Sequence, residues 1–351
     1  MDIEFGLADG RFSLLQCRAI RGLEVLRDVE VGRQEEIARL EELAEEKEKV
    51  WVTHNLGETL SAPTPMTWDI VRHFMTGDGG FGKMYRDFGY MPSQQVKDDG
   101  FLELICGRVY ADPDRLSQLF WAGMPMRYDL EDVVRDPRIL DSAPTRFEAD
   151  EVEPEFLLQA PRIVWSLIKT ARNMREAREN ADRVFENEVL PDYLGYVQRK
   201  RDEDLGTLAT AEVIEELHDR RHRVLDDFGA ESLKPGFLGG MALAELTGLL
   251  EQFDENGEGA SLASILTTAL EGDITFEQDQ LLYEVACDRA SLDTFLEKFG
   301  HRCPGEMELM KPRYREDTSY LEKLTRQLRK AGHDPEGLHY ENARKRTQAE
   351  A

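Results

Sequence analysis

Three short stretches carry residue types at spacings that could do chemistry. Gly77-Asp78-Gly79-Gly80-Phe81-Gly82-Lys83-Met84 nearly matches a phosphate-cradling P-loop, with Met84 where a Ser or Thr would hold magnesium. Such a loop works only after a strand and at the start of a helix, where backbone N–H groups converge on phosphate. Here the preceding segment, Trp68 to Met75, reads as a helix, so the glycines are expected to end it and turn the chain. His218-Asp219-Arg220-Arg221-His222 places two histidines on one helical face, as in zinc proteases. Asp219 replaces the general-base Glu and is a methylene shorter, no third ligand stands nearby, and the flanking charges predict a solvated face. Asp254-Glu255-Asn256-Gly257-Glu258-Gly259 begins like a calcium loop, but its closing carboxylate position holds Ile265. A turn is expected there.

The elements that must position any site are mainly helical. Ile3, Phe5 and Leu7 alternate with Asp2, Glu4 and Gly6, Asp9-Gly10 supplies a turn, and Phe12-Ser13-Leu14-Leu15 resumes an apolar strand. A lone hairpin of this kind is marginally stable in water. Glu35 to Lys49 predicts an amphipathic connector helix, Trp51 to Met66 a loop with Thr67 capping a helix from Trp68, and Phe101 to Ile105 a short strand. Helices are expected over 154–188, 210–228, 239–253, 261–270, 275–299 and 317–331, and the polar residues 333–351 are expected to fray. The fold class is mainly α, a multi-helix domain with a small β-hairpin at its start.

Composition narrows the partners. Of 351 residues 41% are hydrophobic and 32% charged, an ordinary globular balance, and there is neither a signal-peptide pattern at the start nor a long apolar run. A formal net charge of −26 argues against nucleic acid and against an anionic membrane surface. Cys17, Cys106, Cys287 and Cys303 form no CxxC pair, so buried free thiols in a reducing, cytoplasmic setting are expected.

Two distant stretches, with a third between them, resemble one family. Asp2-Ile3-Glu4-Phe5 through Phe12 to Ile20 is similar to the last strands of the ATP-grasp domain of dikinases, the family of phosphoenolpyruvate synthase, pyruvate phosphate dikinase and rifampicin phosphotransferase. Phe299-Gly300-His301-Arg302-Cys303-Pro304-Gly305-Glu306-Met307-Glu308-Leu309, with Lys311 to Asp317, resembles the glycine–histidine–arginine segment of the middle domain in rifampicin phosphotransferase-like members. Asn55-Leu56-Gly57-Glu58 and Thr64-Pro65-Met66-Thr67-Trp68 resemble the start of that domain. The resemblance implies ATP-grasp strands over 1–20, a connector over 21–50, a helical acceptor domain over 51–332 and a polar tail over 333–351. It implies ATP and Mg2+ as cofactors, with Glu4 and Gln16 as metal ligands and Arg18 on phosphate; hard oxygen ligands suit magnesium and Arg offers a planar fork. Ala19 stands where the family usually has proline.

Register decides whether the metal reading is tenable. A two-residue loop at Asp9-Gly10 sets Glu4 opposite Leu15; a longer loop or a bulge makes Glu4 and Gln16 cross-strand neighbours. For the acceptor, His301, Arg302 and Glu306 are the candidate catalytic residues, with Lys311, Arg313 and Arg315 behind them. A Pro304-Gly305 turn can gather polar groups; Glu or His could take a proton from a hydroxyl while Arg and Lys stabilise phosphoryl charge. The alternative is an ion-pair network tying the Phe299 helix to the Tyr320 helix.

The family's threonine–serine–glycine–glycine stretch with its phosphorylated histidine is not in the sequence, nor are the glycine-rich loop of the ATP-grasp domain and the phosphoenolpyruvate-binding barrel. The expectation is therefore a fragment or subunit, inactive alone, that binds a small-molecule acceptor and works with separate ATP-grasp and phosphohistidine domains. The competing expectation is a non-catalytic helical interaction or scaffold protein derived from that family. A third is a metallohydrolase built on His218 and His222.

Overall fold

The computed structural model describes residues 2–8, 10–18, 23–44, 47–54, 56–148, 154–253, 257–331 and 335–350, with side chains except at 2–5, 8, 15–18, 23–27 and 154–159. The N-terminal alternation forms an antiparallel hairpin, β1 (Asp2–Ala8) and β2 (Arg11–Arg18). Gly10 takes φ +73°, as a tight hairpin turn requires; Asp9 lies outside the described residues. A bulge shifts the register between Glu4 and Phe5. Helix α1 (Leu23–Ala44) begins well before Glu35, where the connector helix is expected.

The next segment alternates short helices with short strands. Helices α2 (Leu56–Thr59), α3 (Pro65–Phe74), α4 (Gly80–Phe88) and α5 (Gln94–Asp99) precede a hairpin of β3 (Leu102–Ile105) and β4 (Arg108–Ala111). Helix α3 starts at Pro65, not Trp68: proline suits the first helical turn because its missing N–H has no partner there anyway. Cys106 and Gly107 make the β3–β4 turn, both with positive φ. This turn exposes the Cys106 thiol, contrary to the buried state expected from composition; Cys287 is half-buried, Cys303 buried, and the side chain of Cys17 is outside the described set. Helix α6 (Pro113–Ser117), strand β5 (Met126–Arg127), α7 (Leu130–Arg135), a 3-10 turn (Pro137–Asp141) and β6 (Arg146–Phe147) complete this part.

Two long helical rods follow. Helix α8 (Pro154–Val184) passes through a π segment (Phe185–Val189) into α9 (Leu190–Arg201), and α10 (Thr210–Arg221) passes through another (His222–Phe228) into α11 (Gly229–Phe253). The expected break between Phe228 and Gly239 does not occur, although Pro235 lies inside the helix. Ala230 and Leu238 are buried in the main core, and that packing outweighs the poor helix propensity of the segment. Where the rods meet, Tyr193 lies flat on Phe228, ring centroids 3.5 Å apart, and Arg223 pairs with Asp192.

The C-terminal part holds α12 (Gly259–Leu266), α13 (Ile274–Ala286), α14 (Leu292–Phe299), α15 (Ser319–Ala331) and α16 (Pro335–Glu350). The single helix expected over 275–299 is two helices: Asp288 adopts φ +59° and Ser291 caps α14 by accepting from the Thr294 N–H. The polar C-terminal segment is a helix rather than a frayed end. His339 stacks on Phe276 at 3.9 Å, and Arg346 Nη1 donates to the Ala269 carbonyl at 2.6 Å. The fold is mainly α, with three two-stranded sheets among the described residues. None of the described helices is long and apolar enough to cross a membrane.

Two apolar cores result. The larger surrounds α4, whose Met84, Tyr85 and Phe88 are buried among rings that include Phe120 and Phe237. The smaller joins Leu282, Phe295, Phe299, Tyr314 and Leu321. Helix α4 reaches its place through bare backbone: a Cβ on Gly80 would lie 2.0 Å from the Leu225 carbonyl oxygen, and one on Gly82 would lie 2.2 Å from the Gly77 Cα. The glycine-rich stretch follows a helix rather than a strand: Gly77 to Gly79 turn the chain and Gly80 opens α4, in which Lys83 pairs with Asp87 at 3.1 Å. It is not a P-loop.

Gly82→Ala is expected to destabilise the protein by about 2 to 3 kcal/mol in urea unfolding, because the obstruction is backbone. Gly236→Ala, in open space on α11, is expected to stabilise it by about 0.5 to 1 kcal/mol. Equal effects at the two positions would overturn this account of the turn.

Candidate functional site

The candidate catalytic residues lie in the loop between α14 and α15. Tyr314 anchors that loop: its ring is buried against Phe295 and Tyr320, and its N–H donates to the Arg302 carbonyl at 2.8 Å. The chain turns at Gly305, φ +73°, and Arg302 Nε donates to Glu306 Oε1 at 2.7 Å. That bond to Glu306 holds the Arg302 pKa above its usual value. Arg313 Nη1 donates to the Glu306 carbonyl at 3.1 Å and to Cys303 Sγ at 2.9 Å, so it braces the same turn. Of the three candidates, Arg302 and Glu306 are brought together, while His301 is exposed beside them. The Arg302–Glu306 pair is internal to the loop; what joins α14 to α15 is the apolar contact of Phe295, Phe299 and Leu321.

Sequence reasoning passed over the next acidic residue, Glu308. Its carboxylate accepts from the Thr64 N–H at 2.8 Å, Thr64 Oγ1 at 2.9 Å, Thr67 Oγ1 at 2.7 Å and the Met310 N–H at 2.9 Å. The Leu309 N–H donates to Thr67 Oγ1 at 3.2 Å. The Met310 and Thr64 amides, the two largest contributors, pull the Glu308 pKa down to about 2. Glu308 thereby pins the loop to the first turn of α3, joining two stretches that the sequence resemblance singled out separately. Threonines spaced i, i+3 at a helix start are the local signal; their partner, more than two hundred residues away, has none.

One face of α3, Trp68 and Arg72, lines a cleft of about 1830 Å³ whose other walls come from α1, β3, α6 and the β5–α7 segment. Its floor is a chain of alternating charges. Glu103 receives Arg39 Nη1 at 2.7 Å and Arg115 Nη2 at 2.5 Å, and Asp112 Oδ2 receives Arg115 Nε and Lys49 Nζ, each at 3.0 Å. Asp112, 1% exposed, also caps α6 by accepting from the Asp114 and Arg115 N–H groups. At the rim Arg146 bridges Asp129 and Glu148, and Arg72 pairs with Asp99. The cleft offers both signs of charge in fixed positions, which suits a polar ligand with several hydrogen-bonding groups. His301, Arg302 and Glu306 do not line it.

In the N-terminal hairpin the bulge pairs Glu4 with Gln16 and Asp2 with Arg18. The loop has two residues, yet the extra residue in β2 restores the register that the metal reading requires. Glu4, Gln16 and Arg18 thus share one face by the period of two. Their side chains lie outside the described residues. The hairpin and the 299–317 loop share no element of structure.

The two histidines of the zinc-like motif do not converge. His218 is exposed, and His222 Nδ1 lies 2.7 Å from Asp226 Oδ2, whose other oxygen is 2.8 Å from His73 Nε2. Asp226 acts as a tie between α3 and the second π segment. Among the described residues no group of three or more His, Cys, Asp and Glu is placed to hold a metal ion. Residues 254–256 of the calcium-like stretch are outside the described set, and Gly257 beside them turns the chain at φ +75°.

A carboxylate whose folded pKa is depressed stabilises the fold above its unfolded value, about 4.5 here, and ceases to do so as pH falls towards 2. Glu308→Gln is expected to speed amide exchange at Thr64 and Met310 roughly tenfold at neutral pH, an excess over wild type that disappears as pH falls from about 4.5 to 2. A pH-independent difference would show that the carboxylate charge is irrelevant. Asp112→Asn presents an amide donor to two half-buried cations, Lys49 and Arg115, and is expected to cost about 3 kcal/mol in urea unfolding. A cost under about 1 kcal/mol would mean that water screens the network.

With that geometry in place, comparison with known proteins gives one match and two negatives. No curated protein and no solved structure matches the chain. The family described as the rifampicin phosphotransferase fourth domain matches residues 286–351, a region that begins at the end of α13 and contains the 299–317 loop, α14, α15 and α16. Over those residues the chain is similar to a domain of a phosphotransferase.

Proposed function

We propose that this chain supplies acceptor recognition in an ATP-dependent phosphotransferase, with the phosphoryl group delivered through a histidine-bearing domain outside these 351 residues. The observation that carries the reading is the Glu308 tie. It makes the loop inside the matched region one unit with the start of α3, and α3 contributes Trp68 and Arg72 to the charged cleft. The acceptor is a hydroxylated small molecule held in that cleft. His301, Arg302 and Glu306 lie outside the cleft, on the loop that Glu308 ties to α3, where Arg302 is oriented by Glu306.

The hairpin fits the edge of a nucleotide site. Glu4 and Gln16 are partners in the strand register and are residue types whose oxygens suit magnesium, and Arg18 stands two residues beyond Gln16. Bound there, Mg2+ and ATP would supply the phosphoryl group and neutralise its charge. The second reading, a non-catalytic interaction protein, is favoured by Val164, Trp165 and Ile168, which form an exposed apolar stripe on α8.

Binding decides between the two. Thermal-shift and NMR titration with a panel of hydroxylated aromatic and sugar-like compounds is expected to find a ligand whose affinity falls at least tenfold in Arg72→Ala and in Arg146→Ala, both residues of the cleft wall. A panel that yields no ligand, or ligands indifferent to both substitutions, would sink the acceptor reading. Calorimetry with the magnesium complex of a nonhydrolysable ATP analogue, repeated with Arg18→Ala, tests the hairpin separately.

A further inference from the structure

Between α4, α8 and α11 lies a second cavity of about 400 Å³, which shares no residue with the charged cleft. Residue size creates it. Asn173, Ala177, Ala181 and Val184 of α8 face the space along one helical stripe. Alanine occupies 177 and 181, where a close-packed stripe would need a larger side chain to reach the opposite wall. That wall is Phe88 and Leu238, both buried in the main core. At one end the first π segment begins with Phe185, widening the helix beside the cavity.

The polar groups around this apolar space are unequal. The two cations at its edge are already engaged: Lys234 Nζ sits 3.0 Å from Asp87 Oδ2 and 2.6 Å from Glu231 Oε1, and Arg183 pairs with Glu188 at 2.9 Å. Acceptors are left over. Asn173 donates its amide to the Asp87 carbonyl at 2.9 Å and Asn180 donates to the Glu176 carbonyl at 3.0 Å. Among the described residues neither amide oxygen has a donor, and neither does the Glu176 carboxylate, although all three residues line the cavity. A volume of about 400 Å³ lies within the ordinary range for small-molecule pockets, and clefts between bundled helices are a common location for them.

We propose that this cavity binds a small ligand with an apolar body and an ammonium head. The body fills the space left by Ala177 and Ala181 against Phe88 and Leu238. The ammonium donates to Glu176 and to an amide oxygen beside it, that of Asn173 or Asn180, one helical turn to either side. An anionic ligand of the same shape is disfavoured, because it would face the Glu176 carboxylate while Lys234 and Arg183 are already paired with carboxylates of their own. The site is independent of the proposed acceptor function, so the two can fail separately.

The probes are 2-phenylethylamine and its anionic counterpart phenylacetate, titrated against the full chain and followed by NMR line broadening and thermal shift. The amine is expected to bind and the carboxylate to bind at least tenfold more weakly. Ala181→Leu, which fills the cavity with a good helix former, is expected to abolish amine binding. Glu176→Gln, a substitution on an exposed helix position, is expected to weaken the amine at least tenfold without changing the melting temperature of the free protein. Equal binding of both probes, unchanged amine affinity in either variant, or no amine binding up to its solubility limit would each overturn the proposal.

Discussion

The larger core depends on one close approach: the N-terminus of α4 touching backbone on two sides. With the Leu225 carbonyl 2.0 Å from where a Gly80 Cβ would stand, any side chain there would push α4 off the second π segment. From that seat α4 directs Tyr85 and Phe88 into rings contributed by Phe120 and Phe237. Its C-terminal end is covered by α8 through small polar groups. Ser166 Oγ donates to the Gly89 carbonyl at 2.5 Å while accepting from Trp121 Nε1 at 3.1 Å. These bonds satisfy a helix end that would otherwise be buried with a bare carbonyl. Aligning α8 and α11 against α4 in this way also leaves the alanine-lined cavity between them. The glycines that imitate a nucleotide loop are therefore the packing device on which the helical array rests.

The second organising feature is how an acidic chain uses its carboxylates. A net charge of −26 is a burden on compaction unless carboxylates find donors. Asp112, Glu103, Asp226 and Glu308 each receive two or more polar groups, at least one of them from an element distant in sequence. Asp226 joins α3 to the rods, Glu308 joins the small core to α3, and Glu103 with Asp112 joins α1 to the β3–β4 hairpin and α6. Only the last of these lies at the edge of a cavity large enough for a polar ligand. The acidity that argues against nucleic acid thus serves, at these positions, to hold separate helical pieces together.

The sequence reading recovers the parts that depend on local pattern. The period-two alternation of Ile3, Phe5 and Leu7, the turn at Gly10 and the short strand at Leu102–Ile105 all appear, as does the helical character beyond residue 112. It fails where long-range packing overrides local preference. Gly229, Pro235 and Gly239 read as a break, but Leu238 is buried and holds the helix through them. Asp288 has no breaker signature, yet it ends α13 with a left-handed backbone. Cys106 reads as a buried thiol because cysteine usually is one, and its exposure follows from sitting in a two-residue turn. In the candidate site the Arg302–Glu306 pair, four apart, was within reach of sequence reasoning; the Glu308 contacts to Thr64 and Thr67 were not.

The bulge in the first hairpin shows how much a broken pattern can encode. In β2 the apolar alternation Phe12, Leu14 is followed at once by Leu15, and two apolar residues in succession do not fit a two-faced strand. Inserting one unpaired residue there removes the conflict. Cys17 then pairs with Ile3 and Leu14 with Phe5 on one face, while Gln16 pairs with Glu4 and Arg18 with Asp2 on the other. Without the bulge Gln16 and Arg18 would take register positions on the apolar face, and Glu4 would stand opposite Leu15. The apolar doublet is therefore the residue-level cause of the polar face, and that face brings the three residues singled out by resemblance onto neighbouring rungs.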